Sequence, residues 1–206
     1  MFKRNYLLAA LVLILILLTI SYNSFKKPSI DRQNLTATLL QPPKPLMNFS
    51  LIDNNSKVFT NQNLIGHWSL IFFGFSNCPD ICPTTMTHLK TLYEDLANTH
   101  AGNLPQVILI SVDPERDTPT VLNNYVHSFN DKFIGLTGDA TQIAPFAKSL
   151  NIVYHKVIDS QTKMRIEHSG AILVVDPRGR LYALFTPPLA PHNMAQDLIA
   201  IQHAYS

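Results

Sequence analysis

The chain has 206 residues, with 16 Lys and Arg against 14 Asp and Glu, 46% hydrophobic residues and 15% charged residues. This apolar content suffices for a packed core and excludes an intrinsically disordered chain. The charge balance, without any basic run, argues against a nucleic-acid partner. The chain has only two cysteines, which excludes a multi-bridge disulfide framework and a four-thiolate zinc site.

Residues 1–25 are predicted to be a membrane anchor. Lys3 and Arg4 precede an uncharged stretch, residues 5–25, which would extend about 31 Å as a helix. A cleaved signal segment is the alternative, but no A-x-A cleavage site follows the apolar core. Residues 26–46 contain four prolines among mostly polar neighbours and predict an extended tether.

Residues 47–206 are predicted to form one globular domain. Apolar periodicity and turn residues predict, in chain order, strands or helices in the following segments. These are a hairpin of Phe49–Ile52 and Lys57–Thr60, a buried strand Trp68–Gly74, a helix containing Met86 and Leu96, a strand Val107–Val112, a helix Pro119–Phe129, a strand Phe133–Leu136, a helix Ala140–Leu150, a hairpin of Ala171–Asp176 and Arg180–Phe185, and a helix Asn193–Tyr205. This order predicts an α/β fold, a thioredoxin-like mixed sheet flanked by helices.

Cys78 and Cys82 lie where the buried strand gives way to the first long helix, with Pro83 expected at the first helical position. A spacing of four places both sulfurs on one side, so they can meet each other or one metal ion. A helix N-terminus favours the thiolate, which binds metals and exchanges disulfides. Two buried thiols or one structural disulfide are the simpler alternatives.

Two thiolates need a further ligand, and the eight histidines of the chain are the candidates. Soft sulfur donors with an imidazole suit Cu(I) and also allow Cu(II). A closed structural zinc site is less suitable because it takes four protein ligands.

From about Asn48 to the C-terminus, the chain resembles the Sco family, also called the SCO1/SenC family, of membrane-anchored copper proteins needed to assemble cytochrome c oxidase. Four segments carry this resemblance. They are the run from Phe73 to Pro83 that contains both cysteines, Ser111–Pro119, Gly135–Gly138, and Glu167–Ser169. The resemblance implies a thioredoxin-like fold and copper ligands at Cys78, Cys82 and His168, with His168 on the loop before the strand Ala171–Asp176.

Other residues near these segments have alternative interpretations. His155 and His88 compete with His168, although His88, six residues past Cys82 on the helix, is expected to face elsewhere. Glu167 stands where relatives commonly carry Asp, so its supporting role is open. Asp80 could tune the cysteines, meet a partner or cap the following helix.

The segment Asp113–Pro119 could hold paired carboxylates for acid/base chemistry. We interpret it as a structural loop, because Arg116 can neutralise its acidic neighbours and Thr118 with Pro119 is typical of a helix start.

The leading functional hypothesis is a metallochaperone that holds one copper ion and passes it to the binuclear Cu-A centre of cytochrome c oxidase. The expected partners are the oxidase subunit that carries Cu-A and another copper carrier. The alternative is a thiol-disulfide oxidoreductase in which Cys78 and Cys82 reduce the cysteines of a copper-accepting partner, although Cys-x-x-x-Cys is one residue longer than the usual spacing. A membrane-tethered scaffold with a structural disulfide is a third possibility.

The resemblance places the domain outside the cytoplasm. The apolar segment begins too soon for an organellar presequence, which favours a single-pass protein of a bacterial inner membrane with its domain in the periplasm.

Overall fold

A mixed sheet of eight strands, flanked by helices, forms the body of the protein. The computed structural model describes residues 14, 15, 19, 34–99, 103–152, 154–158, 164–168 and 170–205. The strands are β1 (Thr38–Pro45), β2 (Ser50–Asp53), β3 (Val58–Thr60), β4 (Ser69–Gly74), β5 (Gln106–Ser111), β6 (Ile134–Thr137), β7 (Tyr154–Ile158), β8 (Met164–His168), β9 (Ile172–Val175) and β10 (Arg180–Phe185). The helices are α1 (Ile81–Thr99), α2 (Pro119–His127), α3 (Ala140–Ser149) and α4 (Pro191–Tyr205), and a short 3-10 helix covers Asn61–Leu64.

The order of strands in the main sheet is β1-β10-β9-β4-β5-β6-β2-β3. Strands β4, β5 and β6 are parallel, and the other neighbours are antiparallel. Every residue of β4 is buried, as expected for an apolar strand with helices on both faces. The predicted thioredoxin-like mixed sheet flanked by helices is confirmed.

The register of the parallel strands determines which side chains share a face. Phe72 lies beside Leu109 in the sheet, and Leu109 lies beside Gly135. The next side chain, Phe73, points to the opposite face, where its ring centroid is 5.9 Å from that of Phe146 in α3. The sheet therefore separates α3 from the face that carries Phe72 and the cysteine-bearing helix.

Strand β1 corrects the predicted extent of the tether. Thr38–Pro45 pairs with β10 at the edge of the main sheet, with a register shift between Leu39 and Lys44. Proline lacks an N–H but is tolerated on an edge strand, so the prolines that indicated a tether are compatible with pairing here. The buried carboxylate of Asp197 in α4 also accepts bonds from the backbone N–H groups of Thr36 and Ala37, at 2.7 and 2.9 Å.

The predicted anchor lies outside the described residues except for positions 14, 15 and 19. Residues 26–33 of the predicted tether also lie outside them. Within the described part of the chain, no helix combines the length and the apolar character needed to cross a membrane.

Strands β7 and β8 form a separate two-stranded sheet that the sequence analysis did not predict. His168 is the last residue of β8 and pairs in register with Tyr154, while His155 pairs with Glu167. His168 therefore belongs to a strand end rather than to the predicted loop, and four positions separate it from Ile172 at the start of β9.

Candidate metal centre

The turn between β4 and α1 brings the two cysteines together. The backbone N–H of Cys82 donates to the sulfur of Cys78 at 3.4 Å, and the N–H of Cys78 donates to the carbonyl of Phe75 at the same distance. No disulfide bond joins the two cysteines. The predicted juxtaposition at the start of the helix is therefore present, with the Cys78 sulfur at the N-terminal end of α1.

The first turn of α1 differs in one detail from the sequence prediction. The helix begins at Ile81, so Pro83 is its third residue and not its first. Its missing N–H still falls among the N-terminal groups that have no partner within a helix. Asp80 precedes the helix, and its carbonyl accepts the N–H of Thr84 at 3.2 Å.

Cys82 is fully buried, whereas Cys78 is partly exposed. The sulfur of Cys82 occupies the space left by Gly74, because a Cβ at that position would lie 3.0 Å from the sulfur and 2.8 Å from Cε1 of Phe72. Because Gly74 has no side chain, the end of β4 leaves room for the buried thiol of Cys82.

Burial is the main cause that raises the pKa of the Cys82 thiol far above its ordinary value. A hydrogen bond with the Phe75 backbone opposes this effect, while Cys78 and Asp117 add to it. The thiolate form of Cys82 is therefore unfavourable on its own, and a cation that replaces the proton offsets this penalty.

The carboxylate of Asp117 ties the cysteine turn to the end of β5. It accepts bonds from the Ser76 N–H at 3.1 Å and the Ser76 hydroxyl at 2.5 Å, two residues before Cys78. The Ser111 hydroxyl donates to the same carboxylate at 2.6 Å, and Asp117 is fully buried. This side chain both holds the turn and contributes negative charge beside the thiols.

The structural interpretation of Asp113–Pro119 is consistent with these contacts. Arg116 forms an ion pair with Asp113. The Thr118 hydroxyl caps α2 by accepting the Val121 N–H, with Pro119 at the start of the helix. The sequence predicts this loop as one structural unit and does not indicate that Asp117 lies against the cysteine turn. A carboxylate directly before a helix start gave no signal of that role.

Tyr125 on α2 is a second residue that the sequence analysis missed. Its hydroxyl is buried and has no hydrogen-bond partner among the described residues. Burial raises the pKa of Tyr125, and Cys82, Cys78 and Asp117 raise it further, so the phenol lies within electrostatic range of all three. In the sequence, Tyr125 resembled an ordinary core position of an amphipathic helix.

The structure locates the backbone near His168 but does not describe the side chains of His168, Glu167 or His155. Gly170 lies against the cysteine turn, since a Cβ there would be 3.8 Å from Cγ2 of Ile81. Two residues span at most about 7 Å, so the backbone of His168 is that close to Gly170. Among the described residues, no group of three or more His, Cys, Asp or Glu could hold a metal ion.

A groove of about 250 Å³ runs beside the turn, between the start of α1 and the chain at Gly170 and Pro187. Asp80 and His88 contribute to its lining. Nδ1 of His88 is buried without a hydrogen-bond partner in the described part of the chain. His88 therefore faces this groove.

Comparison with known proteins identifies the family of this arrangement. A family model described as SCO1/SenC matches residues 38–203. The chain belongs to the SCO1/SenC family. An SCO2-like protein of Rickettsia prowazekii is 38% identical over 164 residues, which cover 78% of this chain and 77% of the relative.

Solved structures of Sco proteins share the fold. The crystal structure of Arabidopsis thaliana ScoI with copper bound aligns with a TM-score of 0.71 and 31% identity, over 75% of this chain and 96% of that one. The structure of Bradyrhizobium japonicum ScoI with copper bound aligns with a TM-score of 0.67 and 34% identity, over 75% and 97% of the two chains. The match to the SCO1/SenC family model begins at residue 38, the first residue of β1. The family match therefore includes the edge strand.

Proposed function

We propose that this Sco protein is a copper carrier that binds one copper ion through Cys78, Cys82 and His168. The observation that carries the proposal is the pair of cysteines at the strand end, which no disulfide joins, with the Cys78 sulfur 3.4 Å from the Cys82 N–H. The approach of Gly170 to Ile81 supports His168 as the further ligand. The similar ScoI structures with copper bound support copper as the metal.

The chemistry of the site suits a soft cation. Thiolate and imidazole ligands favour copper, and the buried carboxylate of Asp117 adds negative charge nearby. Copper displaces the proton of Cys82, and a departing copper ion leaves a thiolate that recovers a proton because it is buried. Loading and unloading are therefore ligand exchange coupled to proton exchange, without a change in oxidation state.

Delivery requires that the partner's ligands reach the copper ion. Cys78 is the more exposed of the two cysteines, so its sulfur is the ligand that an acceptor can replace first. We propose the Cu-A subunit of cytochrome c oxidase as the acceptor, as the family resemblance implies, and another copper carrier as the donor. We place the domain in the periplasm, held to a bacterial inner membrane by residues 1–25.

The test compares His168→Ala with His155→Ala in the full chain, purified in detergent and fully reduced. The wild type should bind one copper. His168→Ala should lower the copper affinity about a hundredfold, since loss of a group that only supports a ligand already costs 10- to 100-fold. His155 is the competing candidate and pairs with Glu167 in the same hairpin, so His155→Ala tests whether it, rather than His168, is the further ligand. Its copper affinity should equal that of the wild type. Equal affinity in wild type and His168→Ala would exclude His168 as a ligand.

A second candidate function is reduction of a partner's disulfide by Cys78 and Cys82. The observation in its favour is that no disulfide joins the two cysteines and that Cys78 is partly exposed, as attack on a partner's disulfide requires. Disulfide exchange should tolerate His168→Ala, whereas copper delivery should not. A variant that loses copper but reduces a copper-accepting partner at the wild-type rate would show that the two functions are separate.

A further inference from the structure

The groove beside the cysteine turn is a concave and mainly apolar surface that the proposed copper site does not use. Ile81, Pro187 and Leu189 contribute its apolar walls, and Asp80 and His88 contribute polar groups. Its volume of about 250 Å³ is below the roughly 300–1,000 Å³ of clefts that enclose a whole small molecule. The groove therefore has the size to take one or two side chains of another protein.

His88 gives the groove a polar atom without a partner. Its Nδ1 is buried and has no hydrogen-bond partner among the described residues, although the side chain as a whole is only partly buried. A buried polar atom that has lost water without gaining a partner is unfavourable, and each such atom in a folded protein needs an explanation. A hydrogen-bonding group that enters the groove would remove the penalty.

Asp80 gives the groove a negative charge. Its side chain is exposed, and its carboxylate takes part in none of the ion pairs in the described part of the chain. The described residues that line the groove include no Lys or Arg. A basic side chain would therefore complement this surface, and an acidic one would be repelled.

The groove also lies where a copper acceptor has to come. Ligand exchange requires the acceptor to bring its own ligands into bonding distance of the copper ion. Asp80 lies between the two cysteines in the chain, and Ile81 directly precedes Cys82. An acceptor that reaches Cys78, the more exposed sulfur, therefore also covers the start of α1 and the groove beside it.

We propose that this groove is the docking site of the copper-accepting partner, and that it takes an aliphatic side chain flanked by a lysine or arginine. This inference rests on the proposed copper carrier function. The aliphatic side chain packs between Ile81 and Leu189. A hydrogen-bonding group of the same segment pairs with Nδ1 of His88, and the basic side chain approaches the carboxylate of Asp80.

The experiment measures transfer of Cu(I) from the loaded full chain, in detergent, to two acceptors. One is the copper-free soluble Cu-A domain of cytochrome c oxidase, which can dock in the groove. The other is bathocuproine disulfonate, a small chelator that has no side chain to place there. Ile81→Ala should raise the concentration of Cu-A domain at half-maximal rate about tenfold, as for loss of a central apolar contact, and leave the maximal rate unchanged. Transfer to the chelator should match that of the wild type.

Matched variants separate the contacts. Val58 is an exposed aliphatic residue on the edge strand β3, away from the groove, so Val58→Ala should equal the wild type with both acceptors. His88→Leu removes the imidazole nitrogens and should weaken docking roughly fivefold, as for loss of one hydrogen bond. His88→Asn keeps a hydrogen-bonding group near the position of Nδ1 and should retain most of the docking. Asp80→Asn should reduce the salt dependence of docking.

The outcomes separate this inference from the proposed function. A wild type that binds no copper would overturn both. A wild type that transfers copper to the Cu-A domain, with Ile81→Ala and His88→Leu matching it, would overturn the docking site and leave the copper site standing. Equal slowing with both acceptors would mean that the substitutions act on the copper ion itself and would also overturn the docking site. Self-association of the wild type that Ile81→Ala abolishes would assign the groove to a second copy of the chain and overturn it as well.

Discussion

A fully buried carboxylate lies near each end of β4, Asp176 near its start and Asp117 beyond its end. The two carboxylates have different hydrogen-bond partners. Asp176, near the start of β4, accepts the Arg180 guanidinium at 2.9 and 2.6 Å. It also accepts the backbone N–H groups of Arg178 and Arg180 and the Tyr205 hydroxyl. Asp117, beyond the other end of β4, accepts neutral serine and amide donors.

The neighbours of the two carboxylates differ in the same way. On the loop and helix around Asp117, buried side-chain atoms lack partners among the described residues. These are Oδ1 of Asp113, Nη2 of Arg116 and the Tyr125 hydroxyl. A fully paired network stabilises a fold, whereas unpaired buried groups are expected where a protein binds something. The comparison therefore separates a structural end of the sheet from a functional end.

The largest expected effect comes from removing the charge of Asp176. We call its surroundings, where the carboxylate is fully hydrogen-bonded, the paired end of β4, and the surroundings of Asp117 the cysteine end. Asp176→Asn removes the charge that neutralises Arg180 and weakens the turn that Arg178 and Arg180 anchor. We expect the free energy of unfolding to fall by about 3 kcal/mol, as for one partner of a buried ion pair. Denaturant unfolding measures this loss. Copper affinity of the folded variant should stay within about twofold of the wild type, because Asp176 lies at the other end of β4.

Asp117→Asn is the matched change at the cysteine end. Its donors are neutral but bond to a charged acceptor, so the unfolding free energy should fall by about 2 kcal/mol, less than at the paired end. Copper affinity should fall roughly tenfold, since the variant loses negative charge beside the thiols and support for the turn. If Asp176→Asn weakens copper binding as much as Asp117→Asn does, the division into two ends is wrong.

Crowding the thiol should have the next largest effect. A Cβ at Gly74 would lie 3.0 Å from the Cys82 sulfur and 3.0 Å from Cδ1 of Leu109. We expect Gly74→Ala to destabilise the protein by about 2 kcal/mol, as overpacking of a core does, and to weaken copper binding because the sulfur must move. Denaturant unfolding and copper titration of the same sample check both effects.

Gly138→Ala is the control for an added methyl group. A Cβ there would approach Cδ2 of Leu51 at 3.0 Å, away from the cysteines, and the end of a leucine side chain can adjust. Its copper affinity should equal that of the wild type. A Gly74→Ala protein that is stable and binds copper normally would show that the Cys82 sulfur is not confined by this glycine.

The sequence was sufficient for the central part of the fold. Strong apolar runs such as Trp68–Gly74 and Val107–Val112 predict buried strands because few other structures can hold them. The same reasoning missed β1, whose prolines resemble a linker, and it missed β7 and β8, which are only five residues each and pair with one another outside the main sheet. Edge and paired outer strands depend on the strands beside them, and a local pattern does not contain that information.

The sequence predicted only the part of the site whose residues are close together along the chain. Cys78 and Cys82 are neighbours along the chain, so their meeting follows from local geometry. Asp117 and Tyr125 approach them through the packing of β5 and α2, which no spacing in the sequence reveals. The role of His168 came from family resemblance, and it stays a prediction.

The smallest expected effect is a decrease in the free energy of unfolding at alkaline pH, which should arise mainly at the cysteine end of β4. Burial raises the pKa of Cys82 above its ordinary value of about 8.5, so above that pH the unfolded chain loses a proton that the folded protein keeps. Stability contributed by the buried thiol is complete below pH 8.5 and decreases as the pH rises, by about 1 kcal/mol between pH 8.5 and 9.5. Asp176 raises the pKa of Arg180, which therefore stays charged in this range. Burial also raises the pKa of Tyr205, but an unfolded tyrosine loses its proton only near pH 10, so the paired end contributes little slope below pH 9.5. Denaturant unfolding of reduced, copper-free protein should show the decrease, and Cys82→Ala should remove it. An identical slope in Cys82→Ala would mean that the buried thiol is not its source.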